Sequence, residues 1–456
     1  MTQKKGFSRR KFIGSVSTAT VAAAVGVPFQ SSASRLEIFN HNSDKLAILG
    51  GTPVRSAGQI GPDWPLVNDK MVNNMVDTVK SRVWSRIQRN SVTPSFEESF
   101  ADLIGSNYCV ATGSGTQALS TCVYALEIGP GDEVITSPYT DFGTISSILG
   151  SHALPVLADL EPDTYQLDPA DVERKITENT KAIMPVHIFG VASDMERIMA
   201  IAKKHNLYVI EDACQAPLAR YQGKGLGTIG DLGCFSFQAS KSIACGEGGA
   251  VVGDDEELMD KCYTVQNRGN SRRGTFDLIG PKYRMNELEA ALLNGQLPGV
   301  KERFEKRNDN ANYLRSKLKD FKPLMPQRYY PGTESSAYYH FGMTYNKEEW
   351  GVDRSVFLKA IRAEGVGLGS YIGYALHREP WVDHIMGLKS YQKMYSPQRL
   401  KEYKDSLDLK NCDRIIKETM VSFAGSGPLL ADRSEMDNIY NAIMKVYENR
   451  EHLKSI

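Results

Sequence analysis

The sequence has no excess of either charge: 54 lysines and arginines balance 54 aspartates and glutamates. With no basic stripe or charge run, nothing marks a nucleic-acid-binding surface. Cysteines are few. The seven, at 109, 122, 214, 234, 245, 262 and 412, form an odd set with no metal-ligand spacing, which argues against a zinc or iron–sulfur site and against a disulfide framework. Long hydrophobic runs are missing too. The apolar run Ile13–Pro28 is short and alanine-rich, too weak for a dependable membrane span. No internal repeat or low-complexity tract is visible. What is present is a chain of 456 residues, 41% hydrophobic, long enough to bury a large core in two domains.

From Tyr108 to about Gly253, short apolar runs alternate with amphipathic stretches. The strand-like runs are Glu133–Thr136, Leu154–Ala158, Ala182–His187, Tyr208–Ile210 and Gly233–Phe237. This alternation predicts an α/β fold with a largely parallel sheet covered by helices. Val67–Lys80 reads as a helix. Met285–Phe321 reads as a long helical stretch interrupted at Pro298. Phe341–Tyr345, Arg354–Glu364 and Asp437–His452 belong to a smaller α+β domain.

Three segments carry chemistry. In F-S-F-Q-A-S-K-S-I-A-C-G-E-G-G (235–249), Lys241 stands between a strand-like run and a glycine-rich turn. A buried ammonium is costly unless paired or converted, and condensation with an aldehyde cofactor converts it. On pattern alone, a solvated lysine fits as well. In L-Y-V-I-E-D-A-C-Q (207–215), Asp212 follows a buried strand, where ligands of parallel sheets sit. It suits a pyridinium nitrogen or, equally, a helix N-cap. In A-T-G-S-G-T-Q-A-L (111–119), small residues open a helix and expose N–H groups fit for a phosphate. Gly115 and Thr116 would hold it, with Ser236 approaching from the lysine segment; a capped helix without ligand fits the same letters.

In this order, with K-A-I-M-P-V-H-I-F-G (181–190), G-D-L-G-C-F-S-F-Q-A-S-K (230–241), G-E-G-G (246–249) and Y-R-M-N-E-L-E-A-A (283–291), the chain resembles the DegT/DnrJ/EryC1/StrS sugar aminotransferases. L-A-I-L-G-G-T-P-V-R (46–55) resembles the branch holding the glutamine:scyllo-inosose aminotransferases. The resemblance implies a fold-type I enzyme using pyridoxal 5'-phosphate. A large domain (34–300, with an N-terminal arm) would precede a small one (301–456). It implies Lys241 as the catalytic Schiff-base lysine and proton shuttle, and Asp212 on the ring nitrogen. Gln215 would lie near the ring, and Gly115, Thr116 and Ser236 on the phosphate. Tyr283 and Arg284 would complete the site from the other subunit of a homodimer. His187, Tyr371, Tyr374 and His377 fall where substrate contacts are expected, although ordinary packing would suit each of them too. The implied reaction moves an amino group from glutamine or glutamate to a keto-sugar or keto-cyclitol. Relatives that dehydrate carry histidine in place of this lysine. Relatives that aromatise a cyclic substrate keep the lysine, and a non-catalytic sugar-binding protein could keep the fold. Two departures stand out. S-P-Y-T-D-F-G-T (137–144) puts Asp141 where relatives stack an aromatic ring, so Phe142 or Tyr139 is expected to supply that ring. Lys282 replaces a common asparagine.

The first 33 residues read as a twin-arginine signal peptide: a basic start, S-R-R-K-F-I-G (8–14), alanines, then Ser31-Ser32-Ala33. Export by the twin-arginine machinery to the periplasm or beyond is the expectation. Removing this leader leaves 49 basic against 54 acidic residues. An exported enzyme would rarely meet nucleotide-linked ketosugars, so a free keto-substrate is expected.

Overall fold

The computed structural model describes residues 45–455; the expected leader and the spacer after it lie outside them. Four helices matter most for the site: α1 (Asp69–Ser81), α2 (Thr93–Ile104), α3 (Gly115–Ala125) and α4 (Phe142–Gly150). Strands β1 (Tyr108–Thr112), β2 (Glu133–Thr136), β3 (Leu154–Leu157), β4 (Thr180–Met184) and β5 (Tyr208–Asp212) come first. A short pair, β6 (Arg220–Tyr221) and β7 (Lys224–Gly225), precedes β8 (Leu232–Ser236) and β9 (Gly249–Gly253). The main sheet runs β1-β9-β8-β5-β4-β2-β3. Every pairing from β8 to β3 is parallel, and β9 lies antiparallel between β1 and β8. The expected mostly parallel α/β sheet is therefore present.

Both faces of this sheet are covered, and alternation along each strand decides which core a side chain joins. Cys109, Ala111, Val209, Phe235, Ala250 and Val252 enter one core. Val110, Ile210, Cys234 and Val251 enter the other, against α3. In the first core, Phe96 and Phe100 of α2 meet Phe235 and Phe237 with ring centroids 5.1–5.4 Å apart.

The later part of the chain adds β10 (Leu324–Pro326), β11 (Thr333–Ser335), β12 (His340–Tyr345) and β13 (Met420–Ala424). A small sheet β10-β12-β13 packs with Ala311 and Leu314 of the Val300–Leu318 helix and with Met436 and Ile439 of the Arg433–Glu448 helix. Residues 372–416, expected with the small domain, contribute to the core of the main sheet instead. Tyr391 donates to the Ala153 carbonyl, Tyr395 to that of Asp132, and the Arg399 guanidinium pairs with buried Glu133.

Alternation at the end of β5 sends neighbouring carboxylates to opposite sides. Glu211 is fully buried and accepts from the N–H groups of Gly227, Ile229 and Gly230 at 2.6–2.8 Å and from His187 Nε2 at 2.9 Å. Burial pushes its carboxyl up. The hydrogen bond from His187, with those of the Gly230 and Gly227 N–H groups, outweighs that and holds it below its ordinary 4.5. Glu211→Ala strands four donors, the buried Gly227 N–H and His187 Nε2 among them, and should cost about 3–5 kcal/mol in urea unfolding. A depressed carboxyl contributes stability above its unfolded value and loses it as pH falls through the folded one. Acid unfolding of the wild type should therefore steepen below about pH 4.5, and the Glu211→Gln curve should be flatter there.

Candidate active site

At the carboxyl ends of β1, β5 and β8 lies a cavity of about 360 Å³, within the size range of small-molecule sites. It gathers residues far apart in sequence. Gly115 and Thr116 open α3, Asp212 ends β5, Ser236 ends β8, and Gln215, Lys241 and Tyr371 come from loops; all line it.

The phosphate-like corner is a close approach of two chain segments. Ser114 caps α3 by accepting from Gln117 N at 3.2 Å. A Cβ on Gly115 would lie 2.7 Å from Ser236 Cβ and 3.0 Å from Cys214 Sγ. Glycine is thus what allows the helix N-terminus to reach the serine. A Cβ on Gly143 would meet Thr116 Oγ1 at 2.4 Å, so α4 begins against the same corner.

Asp212 is held firmly. Its Oδ2 accepts from Thr144 Oγ1 at 2.7 Å, and Thr144 bonds Thr140 at 2.8 Å. Oδ1 accepts from Cys214 N at 3.2 Å. Lys241 Nζ stands 4.2 Å from the Tyr339 ring centroid, a cation–π contact. The Tyr339 hydroxyl meets Ser240 Oγ at 2.9 Å. Lys241 is fixed from outside by Trp64, whose indole donates to its carbonyl at 3.1 Å. Gln215 Oε1 accepts from Phe189 N, and its Nε2 donates to the Tyr371 hydroxyl at 3.1 Å. Behind them, His340 packs on Tyr371 with centroids 4.6 Å apart. Burial, then the Lys241 charge, pushes its imidazole down to about 3, so this ring stays neutral beside the ammonium.

Several expected contacts are absent from the cavity. His187 is fully buried with both nitrogens engaged: Nε2 with Glu211, and Nδ1 accepting from Ser193 N at 3.1 Å. It braces β5 and does not touch substrate space. His377 is buried near Asp413, 3.3 Å away, and lines a separate recess. Tyr374 is 49% exposed and outside the cavity. Phe142 turns to Trp381, centroids 6.0 Å apart, and Tyr139 is buried against Phe189 and Tyr371. The cause is local. Asp141 N-caps α4 by accepting from Gly143 N at 2.7 Å, which keeps the acid on the cavity. The next residue is then rotated by about 100° around the helix. Tyr283 and Arg284 do not line this chain's cavity. They brace its phosphate-like corner from outside, Gly113 N donating to the Tyr283 carbonyl at 2.9 Å and Arg284 bridging Thr112.

Residues missed by sequence reasoning include Thr144, Tyr339 and Glu247, all on the cavity. Thr140 and Thr144 did carry a signal, being four apart and so on one side of a helical turn. Tyr339, about a hundred positions after Lys241, carried none.

The donor set fits pyridoxal phosphate: a helix N-terminus with two hydroxyls for phosphate, a fixed carboxylate for the ring nitrogen and an amine for the aldehyde. A Cβ at Gly115 would fill the cradle.

Comparison with known proteins agrees. Residues 67–409 match the DegT/DnrJ/EryC1/StrS aminotransferase family. The chain is 33% identical over 433 residues to the L-glutamine:2-deoxy-scyllo-inosose aminotransferase of Micromonospora echinospora, covering 90% of this chain and 99% of the relative. The solved aminotransferase from Psychrobacter cryohalolentis superposes with a TM-score of 0.74 at 28% identity, covering 86% of this chain and all of that one. That of 3-amino-5-hydroxybenzoic acid synthase gives 0.73 at 26%, with the same coverage. Fold, cavity and likeness together place the chain in the DegT/DnrJ/EryC1/StrS family, as a pyridoxal phosphate-dependent aminotransferase.

Proposed function

We propose that the protein transfers an amino group from glutamine or glutamate to a free keto-cyclitol or keto-sugar, outside the cytoplasm. The observation that carries the substrate reading is the charge of the cavity. Its lining holds three carboxylates, Asp141, Asp212 and Glu247, and one ammonium, Lys241. Among the described residues of one chain no arginine lines it, and the one guanidinium that the homodimer proposed below would add, that of Arg284, has the donor's carboxylate to hold, so a nucleotide diphosphate would meet mainly acids rather than the guanidinium forks that suit phosphates. Hydroxyl-rich rings suit carboxylates as hydrogen-bond acceptors. A relative that acts, by its name, on 2-deoxy-scyllo-inosose fits the same reading. Export rests on the twin-arginine pattern at residues 8–14.

Bound pyridoxal phosphate supplies a carbonyl for amine exchange and an electron sink for the carbanion. Lys241 Nζ takes the proton from the donor's α-carbon and later returns one to the substrate carbon, acting as base and then acid. Its Nζ lies over the Tyr339 ring, which also lines the cavity and holds the amine there. Asp212 holds the ring-nitrogen proton, and Thr144 fixes the carboxylate that does so. Thr116, Ser236 and the α3 N-terminus anchor the phosphate. Gln215, tied to Tyr371, limits where a substrate ring can lie.

The active unit we infer is a homodimer, with Tyr283 and Arg284 reaching the partner's site. Val72, Val76 and Val79 form an exposed apolar stripe on α1, joined by Trp84 and Ile87, and Phe276 and Ile279 are exposed in the loop before Tyr283. Contiguous apolar surface of this kind favours burial between subunits.

The purified protein should show a visible cofactor band that glutamine bleaches, and Lys241→Ala should lose the exchange. No band after incubation with pyridoxal phosphate would sink the enzymatic reading. Turnover of a nucleotide-linked ketosugar well above that of free inososes would overturn the substrate reading alone. Thr144→Val removes the bond that orients Asp212 and should lower kcat by about tenfold or more; because it also strands the buried Asp212 oxygen and the Thr140 hydroxyl, it should cost about 1–3 kcal/mol in urea unfolding. Replacing Arg9 and Arg10 with lysine should hold the protein in the cytoplasmic fraction.

A further inference from the structure

The largest cavity described shares no residue with the active site. Its volume is about 1190 Å³. It opens beside β10, between the end of the Val300–Leu318 helix and the turn before β13. Three features set it apart from an ordinary surface groove.

The first is charge. Six cationic side chains, Arg315, Lys319, Lys322, Arg328, Lys347 and Arg414, line it against three acids, Asp163, Glu348 and Glu418. Some of this is internally satisfied. Arg328 pairs with Asp163 and Glu161 at 2.8 and 2.6 Å, and Lys347 with Asp353 at 2.6 Å. Lys322 and Arg414 have no carboxylate partner among the described residues.

The second is the backbone at its wall. Ile415–Thr419 is a π-helical turn, a conformation that is rare and concentrated at functional sites. The Arg354 guanidinium holds it by donating to the carbonyls of Ile416 at 2.7 Å, Lys417 at 3.1 Å and Met420 at 2.6 Å. This turn brings Arg414, Glu418 and Thr419 to the cavity. Thr419 is 8% exposed and its hydroxyl has no hydrogen-bond partner, although buried hydroxyls are nearly always bonded.

The third is an apolar floor. Met325 is exposed at 44% and Pro326 adjoins it. Beside them the Arg315 guanidinium lies 3.8 Å from the Tyr329 ring centroid.

We propose that this cavity is a second ligand site, which binds an acidic saccharide. The apolar face of a sugar ring covers Met325 and Pro326. The carboxylate or phosphate of the sugar pairs with Arg414 and Lys322, and a ring hydroxyl satisfies Thr419. Charge complementarity selects the acid, and the two rim carboxylates, Glu348 and Glu418, accept from its hydroxyls. The site is independent of which keto-substrate the active cavity takes.

Calorimetric titration of the holoenzyme with trigalacturonate, maltotriose and inorganic phosphate tests this. Trigalacturonate should bind, weaken as salt rises and weaken by at least about tenfold in Lys322→Glu and Arg414→Glu. Both side chains are exposed, so the fold and the amino-transfer rate should be unchanged. Lys389→Glu, exposed on another surface, should bind as the wild type does. No heat with trigalacturonate, equal binding of maltotriose, or wild-type affinity in both variants would overturn the proposal. Displacement of trigalacturonate by phosphate alone at equal affinity would overturn the saccharide and leave a simple anion site.

Discussion

The buried Glu211 carboxylate sets the geometry on which the active site depends. It collects three backbone N–H groups from the 227–230 turn and one imidazole from the end of β4. The first fixes how the chain enters β8, which ends at Ser236. The second fixes the path leaving β4. Because alternate strand residues face opposite sides, locking Glu211 inward also locks Asp212 outward into the cavity. One interaction thus sets the relative positions of Asp212 and Ser236 on the cavity. Preorganisation of this kind keeps catalytic groups aligned without reorganisation during reaction.

Around that anchor, the site relies on missing atoms as much as on present ones. Gly115 and Gly143 are required by contact distance, since a Cβ on either would overlap Ser236 or Thr116. Gly249 does the same on the other side, where a Cβ would lie 2.3 Å from the Ser114 carbonyl oxygen. The phosphate corner is where three backbones meet too closely for side chains. The Lys241 amine is positioned differently, by packing. The Tyr339 ring lies under its Nζ and Trp64 holds the Lys241 carbonyl, both from outside the sheet that carries Asp212.

This contrast explains what was legible in the sequence. Gly115, Thr116, Asp212 and Ser236 lie at strand ends and helix starts, and Gln215 and Lys241 in the loops just after β5 and β8, positions that local pattern reports, and the cavity unites them. Tyr339 reaches Lys241 only through the tertiary fold, and no spacing reveals it. His187 misled for a physical reason. A histidine at a strand end near a ligand crevice looks functional, but the crevice lies on one side of the sheet only. Its fate depended on Glu211, which faces the other way. Phe142 misled because the sequence shows an aromatic beside the expected position without showing that Asp141 would take the helix cap.

Asp141 has a consequence beyond geometry. Where relatives are expected to carry a ring, a carboxylate with one oxygen bound to Gly143 N faces the same cavity as Asp212 and Glu247. Among the described residues Lys241 is the one opposing charge there, and in the proposed chemistry it would cease to be an ammonium on joining an aldehyde. The cavity of this chain then carries only negative side chains. An amino acid donor still needs a cation for its carboxylate. Within a homodimer, Arg284 is the residue whose segment both braces this corner and is implied to cross to the other site. Two copies would thereby supply opposite charges to each cavity. On the homodimer proposed above, a monomer would have the lysine and the acids without a cation for the donor, which would tie activity to assembly through charge as well as through the exposed apolar stripe on α1.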